Sequence, residues 1–113
     1  MNVQIFGTKK SFDTKKAQRF FKERRIKVQL IDLKEKEMSK GELTSVMQAV
    51  GGIDKLLNPK AKDEETLALI QRLTPSQRFD KLLENQQVLA EPIVRNGKKA
   101  TVGYCPDVWG AWE

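Results

Sequence analysis

The chain has 113 residues, 39% apolar and 32% charged, with a net charge of +6; that length supplies one core, so one domain over residues 1–113 is expected. A lone cysteine and no histidine exclude an internal disulfide, CxxC or zinc-ribbon sites, histidine metal sites and Ser–His or Cys–His catalysis. No apolar run nears the roughly 18 residues that span a bilayer, and "MNVQIFGTKK" has no apolar secretory core, so the expected compartment is the cytoplasm, with no cofactor implied.

In chain order, "NVQIF" alternates apolar and polar with Val3 and Ile5 on one face, a short strand. From Asp13 to about Arg24, Ala17, Phe20 and Phe21 recur at helical spacing among basic residues, an amphipathic helix with Asp13 as its expected N-cap. "IKVQLID" returns to period two and places Ile26, Val28 and Leu30 on one face of a second strand. "MSKGELTSVMQAVGG" reads as a helix capped by Ser39, with Glu42 three residues on, and stopped by Gly51 and Gly52. "KDEETLALIQRL" carries three acids in its first turn, which suits the helix dipole. "TPSQRFDKLLEN" has Thr74 as cap and Pro75 at the first helical position. "PIVRNGKKATVGY" reads as two strands joined across Asn96–Gly97, and "PDVWGAWE" as a short final helix.

Charge divides the chain unevenly. Residues 1–40 hold 12 Lys/Arg against 5 Asp/Glu, or +7, and residues 41–113 hold 9 against 10, or −1. A basic surface of this kind attracts nucleic acid, an anionic ligand or an acidic partner, or simply keeps the protein solvated. No aromatic or glycine-rich nucleic-acid module accompanies the charge.

The order is βαβ, a helical segment, a ββ hairpin and a last helix. A βα start needs a crossover that lays the first two strands parallel, and the hairpin then extends the same sheet. The expected fold is α/β and thioredoxin-like, with a mixed four-stranded sheet and a helical insertion between its halves.

Two segments carry a resemblance to a known family. "IFGTKKSFDTKKAQRFFKERRIKVQLIDL" and "LAEPIVRNGKKATVGY" resemble the opening and closing motifs of the ArsC/Spx/YffB family of arsenate-reductase-like proteins. The family opens with a strand, an aromatic, a glycine, a short loop, a cysteine and a Lys-Ala helix. It closes with Leu-x-Arg-Pro-Ile, a hairpin and Val-Gly-Phe/Tyr. Lys15, Lys16, Ala17, Pro92 and the Val102-Gly103-Tyr104 ending match. The resemblance further implies that Pro92 is a strand-initiating proline, cis and beside the loop of Ser11.

The departures bear on function. Ser11 stands where the family has its cysteine, Thr14 where disulfide-switch members have a second one, and Glu91 where an arginine precedes the proline. A thiol at a helix N-terminus can fall from about 8.5 towards neutrality. A hydroxyl is too weak an acid for such a shift to yield alkoxide; it needs a general base, and there is no histidine. Cys105 precedes Pro106 at the start of the last helix, a position that could depress its pKa and make it a candidate thiol; it also suits a small apolar residue in a turn. The helix start, with the Ser11 and Thr14 hydroxyls and with Lys10 and Lys15, forms a candidate oxyanion cradle. The alternative is that Ser11 and Thr14 only satisfy orphan donors there, which a nearby Glu91 favours by repelling an anion. Trp109 and Trp112 share a helical face and are expected to cover the sheet, or to form a partner-binding patch.

Two function classes follow. One is a non-catalytic member of the family, a binding or regulatory module. Its Spx branch implies contact with an acidic surface of an RNA-polymerase-type partner. The other is a thiol oxidoreductase of glutaredoxin or arsenate reductase type, working through Cys105 or a partner's thiol.

Overall fold

The structure, a computed structural model, describes residues 1–112. Strand β1 (Val3–Gly7) is followed by helix α1 (Phe12–Glu23) and strand β2 (Val28–Asp32). Helices α2 (Lys40–Val50), α3 (Glu64–Arg72) and α4 (Pro75–Glu84) form the insertion, with short 3₁₀ turns at Ile53–Leu56 and Gln86–Val88. The hairpin β3 (Ile93–Asn96) and β4 (Lys99–Val102) leads into α5 (Pro106–Gly110). The sheet order is β2-β1-β3-β4. β1 runs parallel to β2 and antiparallel to β3, and β3 antiparallel to β4, the thioredoxin-like arrangement.

The helix ends follow from local chemistry, with one change from the sequence reading. The cap of α1 is Ser11, not Asp13: Ser11 is extended (φ −80°, ψ 122°) and its Oγ accepts the Thr14 N–H at 3.2 Å. Asp13 lies inside the first turn, where a carboxylate meets the positive end of the dipole. At α2 the Ser39 Oγ accepts the Glu42 N–H at 3.1 Å and Glu42 Oε1 accepts the Ser39 N–H at 2.9 Å. Gly51 closes that helix at φ +87°, a conformation favouring glycine. Asp63 caps α3 through the Thr66 N–H at 3.1 Å, and Pro75 opens α4 after Thr74.

The sheet is buried on both faces. Phe6, Ile31 and Ile93 face the insertion and pack with Leu43, Val46, Leu56, Ile70 and Leu82. Val3, Ile5 and Val94 face α1 and α5, meeting Ala17, Phe20, Phe21 and Trp109. Trp109 is fully buried, its centroid 5.3 Å from both Phe20 and Phe21, and its indole N–H donates to Thr101 Oγ1 at 2.8 Å. A buried tryptophan needs such a partner for its one polar atom. Trp109 therefore covers the sheet as expected, while Trp112 is half-buried at the edge of the same cluster.

The hairpin reading shifts, and the two faces of β2 prove unequally covered. In β2 the buried residue is Ile31, on the insertion side, whereas Leu30 is 39% exposed. β2 is an edge strand, so the α1 layer shelters Ile26 and Val28 in part and leaves Leu30 at the rim. In the hairpin, Asn96 pairs with Lys99, so the turn residues are Gly97 and Lys98, one place beyond the expected Asn96–Gly97. Asn96 is held in β3 opposite Val3, and Gly97 alone takes the positive φ, +61°, as a glycine-first hairpin turn requires.

Candidate functional site

β1 ends at Gly7, and the chain must turn within four residues to begin α1. Gly7 allows this because α1 comes very close: a Cβ there would lie 2.4 Å from Thr14 Oγ1 and 2.9 Å from its Cγ2. The turn is fixed by the Ser11 N–H donating to Thr8 O at 3.2 Å. Lys9 and Lys10 are exposed at its tip and Ser11 is half-buried.

The segment before β3 reaches this loop. The Glu91–Pro92 bond is cis, and Glu91 Oε1 accepts both the Thr8 N–H at 2.8 Å and the Thr8 hydroxyl at 2.7 Å. Pro92 O in turn accepts the Gly103 N–H at 2.8 Å. The Ser11 loop, Glu91–Pro92 and the Val102-Gly103-Tyr104 ending thus converge at one end of the sheet. Nothing in the sequence pattern pointed to Thr8 as the partner of Glu91, since that contact spans 83 positions.

The four residues of the expected cradle differ in their access to solvent. Lys10 and Lys15 are exposed, and the Lys15 ammonium lies over the Phe12 ring, 5.7 Å from its centroid. Thr14 is 2% exposed, and its Oγ1 is buried and has no hydrogen-bond partner among the described residues. It is turned towards Gly7, so an anion arriving from solvent does not meet it. A buried hydroxyl without a partner costs about 1–3 kcal/mol; here the tight approach of α1 to β1 imposes it. Phe12, 79% exposed, was missed by the sequence reading, although it falls off the Ala17–Phe20–Phe21 stripe that faces the core.

The donors of this helix start are partly occupied from within. The Ser11 Oγ holds the Thr14 N–H, and the Glu91 carboxylate holds the Thr8 N–H. The Ser11 oxygen is thus a capping acceptor, and the carboxylate beside the loop is engaged with Thr8.

Cys105 corrects a second expectation. It caps α5, but that helix has only five residues, and the thiol donates to Val102 O at 3.3 Å. Burial pushes its pKa above the ordinary thiol value, and a hydrogen bond with Thr101 only partly offsets this. Its proton is therefore held more tightly than in a free cysteine, the opposite of activation. Phe6, Ile93 and Val102 form one row across the sheet, so β1 and β4 end on the same side with β3 between them. Cys105 and Ser11 leave strands at the same end of the sheet, two strands apart.

Among the described residues no three His, Cys, Asp or Glu side chains are grouped to hold a metal ion, and no helix is long and apolar enough to cross a membrane.

The comparisons with known proteins agree with this geometry. A protein from Bacteroides fragilis described as ArsC family related superposes with a TM-score of 0.87, at 17% identity, over 100% of this chain and 98% of its own. An arsenate reductase from Vibrio cholerae gives 0.82 at 22% identity, covering 96% and 94%. An arsenate reductase (ArsC) related protein from Brucella melitensis gives 0.66 at 20% identity, covering 99% and 94%. At these identities the likeness is one of fold. No curated protein matches the sequence. The model of the ArsC family matches residues 6–112, nearly the full length, and the chain belongs to the ArsC family.

Proposed function

We propose that this chain is an ArsC-family protein that has given up thiol redox chemistry at the Ser11 position and serves in the cytoplasm as a binding or regulatory module. The observation that carries the reading is the state of the α1 start. Its capping oxygen is a serine hydroxyl already bonded to the Thr14 N–H at 3.2 Å, and the adjoining Thr8 N–H is occupied by Glu91 at 2.8 Å. Ser11 cannot form a disulfide or an arsenic–sulfur bond. Turning a hydroxyl into a nucleophile needs a base; the chain has no histidine, and the carboxylate beside the loop is bonded to Thr8.

Cys105 gives no support to the thiol-oxidoreductase reading, because it is half-buried, bonded to Val102 O and shifted away from thiolate. The partner class follows from the excess of +7 in residues 1–40, which suits an acidic protein surface, as the likeness to Spx-type regulators of RNA polymerase implies. Exposed charge of this kind steers encounter and selects partners more than it adds affinity.

The test is turnover. The purified protein, given arsenate with either glutathione and glutaredoxin or thioredoxin as reductant, is expected to reduce none above a protein-free blank. Turnover that disappears in Ser11→Ala would overturn the reading.

A further inference from the structure

Helix α1 buries one stripe against the sheet and leaves another open beside α5. Arg19, Glu23 and Arg24 lie three, seven and eight residues after Lys16, so these four share that open face, and Phe20 of the buried stripe lies beneath them. With Tyr104 and Pro106 opposite them they enclose a groove of about 410 Å³. Ser11 and its loop lie outside it.

The floor of the groove is aromatic and fixed. Phe20 is 5% exposed, while Tyr104 presents 43% of its surface. Both rings meet Trp109 edge-on, at 5.3 Å and 5.6 Å between centroids. Trp109 itself is anchored through Thr101. A floor held in this way loses little freedom when something docks on it. The wall is cationic: Lys16 and Arg19 are exposed, and the Lys16 ammonium lies 5.5 Å from the Tyr104 centroid. The Arg24 guanidinium stacks 3.6 Å from the Phe20 centroid. Glu23 is the one acidic residue in the lining.

A ligand for this groove must carry negative charge against the wall and an apolar side chain for the floor. From Lys16 to Arg24 the wall is about 12 Å long, at 1.5 Å per helical residue, which matches a few residues of peptide. A nucleic-acid strand would call for a cationic track along several phosphates with stacking rings in series; here two rings sit within one short groove. We propose that the α1–α5 groove seats an acidic segment of a partner protein, its carboxylates against Lys16 and Arg19 and an aromatic or aliphatic side chain over Tyr104 and Pro106. This rests on the binding-module reading and places the binding surface away from the Ser11 loop.

The experiment is an NMR titration of the whole protein at constant ionic strength. The probe is a blocked synthetic peptide of glutamates interrupted by two phenylalanines. Saturable shifts are expected at Lys16, Arg19 and Tyr104, with the Ser11 loop unmoved. Lys16→Glu and Arg19→Glu should each weaken binding by about tenfold, as loss of a central charged contact does. Both side chains are exposed, so melting temperatures should stay near wild type; Lys16→Gln and Arg19→Gln give the same comparison without reversing charge. Replacing the phenylalanines by alanine should also weaken binding by about tenfold. An oligothymidylate probe should bind more weakly than the peptide. The proposal is overturned if the charge variants bind like wild type, if the shifts spread evenly along the basic surface, or if oligothymidylate binds as well as the peptide. Arsenate turnover through Ser11 would sink the module reading by itself, whereas failure of the peptide arm removes this groove and leaves that reading standing.

Discussion

The starts of α1 and α5 are instructive to compare, because each has half of what a reactive thiol needs. α1 has twelve residues and a half-exposed cap, but the cap is Ser11. α5 has the cysteine, but only five residues, and its thiol is half-buried and pointed at a carbonyl. Acidity at a helix N-terminus comes from several aligned, unsatisfied N–H groups facing an exposed group. Where the helix is short and the group is shielded, the cost of desolvating a thiolate wins, and the pKa rises. The thiol and the field that would activate it are in different places.

The largest change in reactivity should come from joining the two halves. Ser11→Cys in a Cys105→Ser background puts a thiol on the longer helix, to be compared with Cys105 in the wild-type chain. A free thiol near 8.5 is about 3% thiolate at pH 7, and one lowered to about 7 is half thiolate. The new thiol should therefore be alkylated more than about tenfold faster than Cys105 at pH 7, with a lower midpoint in the pH profile. Equal rates would mean that the α1 start carries no special field, and the comparison would fail.

How much of this could be read from the sequence follows the same division between local and distant contacts. The strand and helix order, the Ser39–Glu42 box, the Gly51 stop and Pro75 are written within a few residues of one another, and each is present. The stop of α1 was harder to see. After Glu23 the chain turns away through Arg25 at φ +56°, with the Ile26 N–H donating to Phe21 O at 2.9 Å. No glycine marks that left-handed residue, so composition gives no signal for it. At the site, the match of Pro92 to the family motifs, with Ser11 and Glu91 at motif positions where the residue differs, brought the right segments together. It could not show that Thr14 is sealed under Gly7, or that Glu91 takes both donors of Thr8. Those depend on how closely two elements approach, and periodicity is silent about distance. Which face of β2 is better covered was not legible, because an edge strand's two faces are covered unequally.

Two glycines offer a second way to sharpen the comparison, since one precedes each helix start. Gly7→Ala would set a Cβ 2.4 Å from Thr14 Oγ1, against a β-branched side chain that is stiff in a helix. The expected loss is about 2–3 kcal/mol, at the upper end for overpacking. Adding Thr14→Ala removes both of the closest atoms and should recover most of it. Gly103, before α5, meets nothing within 4 Å, and only its φ of +82° opposes a side chain, so Gly103→Ala should cost about 1 kcal/mol. Denaturant midpoints of the three variants check the ranking. If Gly7→Ala were the milder change, α1 would not be held against β1 as tightly as the geometry has it.

The last change concerns what now fills the α1 loop. In Glu91→Ala the Thr8 N–H and hydroxyl lose their shared acceptor, and the chain should lose about 1.5 kcal/mol, the usual worth of hydrogen bonds to a charged group. The same change removes the negative charge beside the loop and frees a backbone donor near the helix start. Phosphate should then bind to the variant in the millimolar range, about 4 kcal/mol, because a few exposed contacts must compete with the hydration of the ion. Lys10 and Ser11 are the groups placed to respond, and Thr14 should move only through its amide. In the wild-type protein the carboxylate already takes that donor, so phosphate at constant ionic strength should give small, linear shifts spread over the basic residues as far as Lys27. Saturable shifts confined to residues 8–16 in the wild type would mean that the loop is an open anion site despite Glu91. If neither protein shows saturation, the loop carries no cradle even when emptied, and Glu91 serves only to tie Thr8 to the segment before β3.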